Sequence, residues 1–191
     1  MTWRLLGAVL CGGRSSRMGT DKSMLSHPSG GTYLQHSLNR LQVVCDEVVL
    51  STRSPGTQPA TPSPVQVHDT SPELGPAMGV AACVQHAQIS GYEACLITPV
   101  DMPYLSVADL CALRAQWSQH RHLPVCGITS TENRLQPLVA IYPVQCVESL
   151  AALVQSEHRS LRRWLAVHPH HTVGLSPRSC QNINSPDDLS A

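Results

Sequence analysis

Short runs in which nearly every position is apolar alternate along this chain with longer stretches in which apolar residues recur every three or four positions. The run Leu5–Leu10 leads into glycines and suits a strand buried on both faces better than a helix. A glycine-rich turn follows. From Tyr33 to Val44 the residues Leu34, Leu38 and Leu41 recur at helical spacing, and Glu47–Ser51 then reads as a second strand, which completes a β-α-β unit. Val65–His68 reads as a short strand, Gly79–Gln88 as an alanine-rich helix, and Ala94–Thr98 as a buried strand ending just before Asp101. Ser106 can cap a helix running to about Gln119, because its hydroxyl accepts from an otherwise unpaired backbone N–H, and Asp109 favours the positive helix start. A strand over Pro124–Ile128, a turn over Thr129–Arg134 and a strand over Pro137–Tyr142 paired with its predecessor come next. Helical patterns over Val147–Val154 and Leu161–Val167, a last strand over Thr172–Leu175 and a helical turn at Pro186–Leu189 complete the series.

Strands alternating with helices predict an α/β fold: a three-layer α/β/α sandwich with a mainly parallel sheet covered on both faces. The proline-rich stretch Ser54–Pro64 reads as a loop, since the pieces flanking it are too small to fold alone, so residues 1–191 are expected to form a single domain. In such sheets ligands bind beyond the carboxyl ends of the strands. Three polar segments fall at those ends: Cys11–Lys22, Thr98–Pro103, and the proline-rich loop with His68 and Asp69 beyond it.

Composition narrows the function. The 191 residues carry 13 basic and 13 acidic side chains, so no excess positive field is present to hold a nucleic-acid backbone. Leu5–Leu10 is too short for a signal-peptide core or a membrane span, which makes the cytoplasm the expected compartment. The 8 cysteines include no C-x-x-C pair, and several fall inside apolar runs; they read as reduced, small, mostly buried side chains. His168, His170 and His171 are interrupted by Pro169 and have no cysteine or carboxylate at ligand spacing, so they read as a surface cluster.

The segment from Leu10 to Lys22 carries the most specific chemistry: Leu10-Cys11-Gly12-Gly13-Arg14-Ser15-Ser16-Arg17-Met18-Gly19-Thr20-Asp21-Lys22. Glycines let backbone N–H groups approach phosphate oxygens without an intervening Cβ, and Arg17 and Lys22 can offset charge on the same oxygens. That combination suits a triphosphate. It matches neither G-x-x-x-x-G-K-[ST] nor G-x-G-x-x-G, which disfavours a kinase and an NAD-dependent dehydrogenase.

Gly12-Gly13 through Arg17-Met18-Gly19 and Asp21-Lys22 resembles the signature of nucleotidyltransferases built on a Rossmann-like sheet, most closely the molybdenum cofactor guanylyltransferases. The resemblance continues in order at Asp69, Gly75-Pro76 and Gly79, Asp101-Met102-Pro103, Gln136-Pro137-Leu138 and Asn182-Ile183-Asn184-Ser185-Pro186. It implies transfer of GMP from GTP to the phosphate of molybdopterin. It also implies that Leu10, Gly12 and Gly13 line the nucleotide site, that Lys22 contacts phosphates, and that Asp69 helps recognise guanine. Asp101 would hold Mg²⁺, with Asn182 and Asn184 near the metal or the pterin. Two features depart from the family pattern near this site: Cys11 stands where alanine is usual, and Ser51 where asparagine often lies close to the base. A third departure, Ser26–Thr32, is longer and richer in glycine than the usual turn before the helix.

Nucleotidyl transfer needs an acceptor oxyanion in line with the α-phosphorus, so the protein's task is to position reactants and offset negative charge. Asp101, at a strand's carboxyl end, is the natural Mg²⁺ ligand, and Arg17 and Lys22 would stabilise the leaving pyrophosphate. Asp69 can accept from guanine N1 and N2 or organise a turn with Thr70 and Ser71; Gly75 can let the backbone pass close to the base or shape a helix entry. Gln136 is a candidate to fix the acceptor. Two other classes stay open at this point: a cytidylyltransferase acting on molybdopterin or another phosphorylated small molecule, and a nucleotide-binding module without catalysis. Transient contacts with molybdenum cofactor insertion proteins or apo-molybdoenzymes are the expected protein partnerships.

Overall fold

The computed structural model describes residues 3–11, 25–27, 29–52, 64–68, 75–129 and 132–181. Seven strands form one sheet: β1 (Leu5–Leu10), β2 (Glu47–Thr52), β3 (Gln66–His68), β4 (Ala94–Pro99), β5 (Val125–Thr129), β6 (Leu135–Pro143) and β7 (His171–Leu175), in the order β3-β2-β1-β4-β6-β5-β7. All neighbours run parallel except β6, which is antiparallel to both β4 and β5. The helices are α1 (Tyr33–Val44), α2 (Pro76–Ile89), α3 (Val107–Gln119), α4 (Val147–Gln155) and α5 (Leu161–Val167).

Alternation along the central strands divides the interior in two. Leu5 and Val9 of β1 join Leu34 and Leu41 of α1 and Leu110, Leu113 and Trp117 of α3. Leu6 and Ala8 face the other way, with Val80 and Val84 of α2, Leu150 of α4 and Trp164 and Leu165 of α5. A sheet packed on both faces explains why β1 and β4 are apolar almost throughout, and each fully buried leucine contributes about 1.5–3 kcal/mol. Gly7 lets α1 lie close to the sheet. A Cβ there would stand 3.1 Å from Cys45 Sγ and 3.3 Å from Leu41 Cβ.

Most element boundaries fall within a residue or two of those expected, and two differences have clear causes. The helix expected from Gly79 begins at Pro76, because Gly75 at φ 77° turns the chain and Pro76 supplies a preset φ in the first turn. The strand expected from Pro137 begins at Leu135. Cys126 pairs with Ala140 and Gly127 with Gln136, so Pro137 falls in a bulge where it is not required to donate to the ladder. The helical turn expected at Pro186–Leu189 lies outside the described residues.

All 8 cysteines are reduced thiols, and Cys45, Cys83, Cys95, Cys126 and Cys146 are buried. Burial pushes the Cys45 and Cys126 thiols up to about 12, so they remain protonated packing groups. Cys111 is exposed. Two of the three histidines read as a surface cluster engage in ring stacking: His168 lies on Trp164 with centroids 4.2 Å apart, and His171 on His120 at 3.8 Å.

Candidate active site

The chain reverses its direction of travel across the sheet between β1 and β4. It leaves β1 through α1 to β2 on one side, then returns through α2 to β4 on the other. Such a switch point opens a crevice at the strands' carboxyl ends. Here the ends are laced together by main-chain bonds: Cys11 N–H donates to the Ser51 carbonyl at 3.0 Å, and Val100 N–H donates to the Leu10 carbonyl at 3.2 Å. Leu10, Cys11, Ser51 and Asp101 are therefore gathered at one edge.

Asp101 follows β4 directly, in a turn, and its residue is partly exposed. Because β6 runs antiparallel to β4, its beginning, with Gln136, lies at the end of the sheet where β4 finishes. Gly75 caps α2, which descends from this same end. A Cβ at Gly75 would meet nothing within 4 Å, so its φ of 77° is what calls for glycine, and it shapes the helix entry. The Ser51 side chain is buried, as is the Thr98 hydroxyl, which lacks a hydrogen-bond partner among the described residues. Gly12, Gly13, Arg17, Lys22, Asp69, Asn182 and Asn184 lie outside the described residues.

Side chains that the sequence did not single out brace the turn after Asp101. Arg40 of α1 donates to the Pro103 carbonyl, to the Met102 carbonyl at 3.5 Å and to Ser37 Oγ at 3.0 Å. Burial lowers its pKa to about 10, which leaves the guanidinium charged at neutral pH. Further along the same loop the fully buried Ser179 hydroxyl accepts from Ser106 N–H at 3.1 Å and lies 3.3 Å from the Tyr104 carbonyl. Ser179 itself is held by Asp109, whose carboxylate also accepts from Ser106 and Ser176 hydroxyls at 2.8 and 3.0 Å. Burial alone would raise the Asp109 pKa, but the bonds from Ser179, Ser106 and Ser176 outweigh it and hold the group below the usual carboxylate value.

The helix start expected at Ser106 is present, with Asp109 N–H donating to its hydroxyl at 3.1 Å. Asp109 does more than meet the helix dipole, since it ties α3 to the chain leaving β7. One signal for Arg40 was available: it falls three residues after Ser37 and seven after Tyr33, on the stripe of α1 that faces inward. Nothing local marked Ser176 or Ser179, whose partners lie about 70 residues away.

Mg²⁺ sets its own demands on a donor set. Among the described residues no group of three or more His, Cys, Asp or Glu side chains converges to hold a metal by itself. A single hard carboxylate at a strand's carboxyl end fits Mg²⁺, which keeps waters and shares its shell with substrate phosphates.

A family model described as the MobA-like NTP transferase domain matches residues 7–173, from β1 into β7. This chain belongs to that family. Across 97% of the chain and 90% of the relative's length it is 49% identical to a protein of Rhodopirellula baltica named as a probable molybdenum cofactor guanylyltransferase. Among solved structures, molybdopterin-guanine dinucleotide biosynthesis protein A from Archaeoglobus fulgidus superposes with a TM-score of 0.79 at 19% identity, covering 97% of this chain and 95% of that one. The 2-C-methyl-D-erythritol 4-phosphate cytidylyltransferase of Thermus thermophilus superposes with a TM-score of 0.67 at 16% identity, covering 100% and 96%. At such identities the likeness shows a shared fold. The MobA-like family therefore accounts for the α/β architecture and places this chain among nucleotidyltransferases. Among the described residues no helix is long and apolar enough to cross a membrane.

Proposed function

We propose that this chain is a molybdenum cofactor guanylyltransferase that moves GMP from GTP to the phosphate of molybdopterin and releases pyrophosphate. The observation that carries this reading is the 49% identity, over nearly the whole chain, to a relative named for that activity. The arrangement of strand ends supports it. Leu10 and Cys11 open the glycine-rich segment from the end of β1, and Asp101 stands at the end of the neighbouring β4.

In this reading the backbone of Gly12 and Gly13 approaches the triphosphate, and Arg17 and Lys22 offset the charge that gathers on the departing pyrophosphate. Asp101 is the residue to hold Mg²⁺, which when bound supplies Lewis-acid charge stabilisation on phosphoryl oxygens. Asp69 reads the base, with Ser51 and Gly75 beside it, and Gln136, Asn182 and Asn184 orient the acceptor. The protein's contribution is alignment of an acceptor oxygen with the α-phosphorus. Passing the product to a molybdoenzyme would bring transient contact with insertion proteins or the apoenzyme.

The test is pyrophosphate release from purified protein with Mg²⁺ and molybdopterin, comparing GTP, CTP, ATP and UTP. Turnover with GTP alone is the expected result. A second reading, cytidylyl transfer, draws on the likeness in fold to a cytidylyltransferase, and turnover with CTP in the same assay would select it. No release with any nucleotide would overturn both.

A further inference from the structure

Among the described residues, the turn that follows Asp101 is held by a cation with no carboxylate of its own. Arg40 projects from the inner face of α1, and its hydrogen bonds go to two main-chain carbonyls and one buried hydroxyl. Each of those carbonyls belongs to a residue just past Asp101, and Met102 and Pro103 are both buried. One guanidinium thus spans two consecutive peptides of the turn. The His27 ring also faces the Pro103 backbone, which can only accept there because proline has no N–H. His27 in turn stacks on His36 of α1 with centroids 3.7 Å apart. Two parts of the molecule meet at one peptide: the chain emerging five residues after Lys22, and the turn carrying Asp101.

We propose that Arg40 is a positioning residue for the metal-binding carboxylate: its planar fork fixes the Met102 and Pro103 carbonyls, and through them the place and direction of Asp101. This rests on the reading of Asp101 as the Mg²⁺ ligand. A guanidinium suits the task because its donors lie in one rigid plane and can reach several acceptors at once. A lysine would carry the same charge on a single flexible point. The buried hydroxyl of Ser37 completes the arrangement by holding the guanidinium from its own helix. Arg40 does not itself touch a reacting atom.

The experiment measures Mn²⁺ binding in the presence of GTP by electron paramagnetic resonance, alongside steady-state kinetics, for wild type, Arg40→Lys, Ser37→Ala, Asp101→Asn and the Arg40→Lys/Asp101→Asn double variant. Arg40→Lys is expected to weaken Mn²⁺ binding about tenfold and to lower kcat by a similar factor, with KM for GTP within about twofold, since the loss is one of alignment. Ser37→Ala, a mild change inside a helix, should move both quantities the same way by about two- to threefold, and it keeps the test alive if Arg40→Lys folds poorly. In the Asp101→Asn background Arg40→Lys should add little, because two residues acting through one ligand are not additive. A lower melting temperature for Arg40→Lys and Ser37→Ala with Mn²⁺ binding and kcat unchanged would make Arg40 a brace of the fold and overturn the proposal alone. Wild-type Mn²⁺ binding by Asp101→Asn would remove the Asp101 reading and the proposal with it.

Discussion

The two ends of the sheet solve the same problem, holding strand termini in place, by different means. Where the strands begin, two ion pairs accompany bonds between charged side chains and neutral groups. Arg4 lies 3.7 Å from Glu47 and over the ring of Tyr92, Arg114 lies 3.9 Å from Asp46, and the carboxylates of Glu93 and Asp46 accept from the backbone N–H groups of Arg4 and Leu5 at 2.6 and 2.7 Å. Where the strands finish, charges are held by neutral groups. Arg40 meets carbonyls and a hydroxyl, and Asp109 meets three serine hydroxyls, with no ion pair for either among the described residues. An end that serves only the fold can cancel its charges internally. In the proposed function the other end receives a polyanion and a divalent cation, a task that suits groups fixed without being neutralised.

The sharpest way to break this contrast is Asp101→Ala. It should lower turnover by about a hundredfold or more while leaving the melting temperature nearly unchanged, because a partly exposed turn residue contributes little to packing. Activity assays and thermal unfolding on one preparation check it, and near-normal turnover would remove Asp101 from the site.

Asp109→Asn addresses the same end through stability. The native carboxylate pKa lies below the ordinary value of 3.8, so its contribution is present in full above that value and is lost as pH falls through the lower folded value. The variant is expected to be less stable than wild type by about 1–2 kcal/mol at neutral pH, the range for hydrogen bonds to a charged group in a partly solvated site, with the gap closing in acid. Urea midpoints measured from about pH 7 down to about pH 2 test it; a gap independent of pH would show that the carboxylate charge is not the source.

At the opposite end, Glu47→Gln should cost less than about 1 kcal/mol and leave kcat and KM unaltered, since the Arg4–Glu47 pair is 47% and 64% exposed. A larger loss would mean that this end is more than a solvated pair. The smallest effect is expected at Cys11. Its backbone N–H makes the bond to Ser51, which a substitution preserves, so Cys11→Ala should bind GTP as wild type does; calorimetric titration would detect a difference.

How far the residues spoke for themselves differs between these two ends. The strand and helix boundaries were legible because each element carries its own signal: unbroken apolar runs for strands buried on both faces, a three-to-four spacing for helices, Ser106 as a cap. The placement of β6 between β4 and β5 was half legible. A turn at Thr129–Arg134 predicts the antiparallel pairing of β5 with β6, but nothing in either strand says that β6 also inserts beside β4. At the site, Leu10, Cys11, Ser51, Asp101 and Gln136 follow from motif and resemblance, and the sheet gathers them because each terminates or begins a strand at one edge. Arg40 does not stand out in the same way, because a basic residue in a helix usually reads as solvated. The Asp109–Ser176–Ser179 cluster gave no local sign.

By itself, then, the order of residues determined the series of elements and the burial of the sheet on both faces, and it marked the segments proposed to carry phosphate and metal chemistry, since those follow from backbone preferences and side-chain types acting over a few positions. Only the tertiary structure decided which strands adjoin, that the chain reverses between β1 and β4, and that Arg40 and Ser179 bond successive parts of the loop after Asp101. Those outcomes depend on contacts between residues far apart in the chain, about 60 to 75 positions for the bonds of Arg40 and Ser179 and about 90 for the pairing of Leu5 with Ala94, whose partners are selected by packing and desolvation in three dimensions and leave no mark on the local pattern.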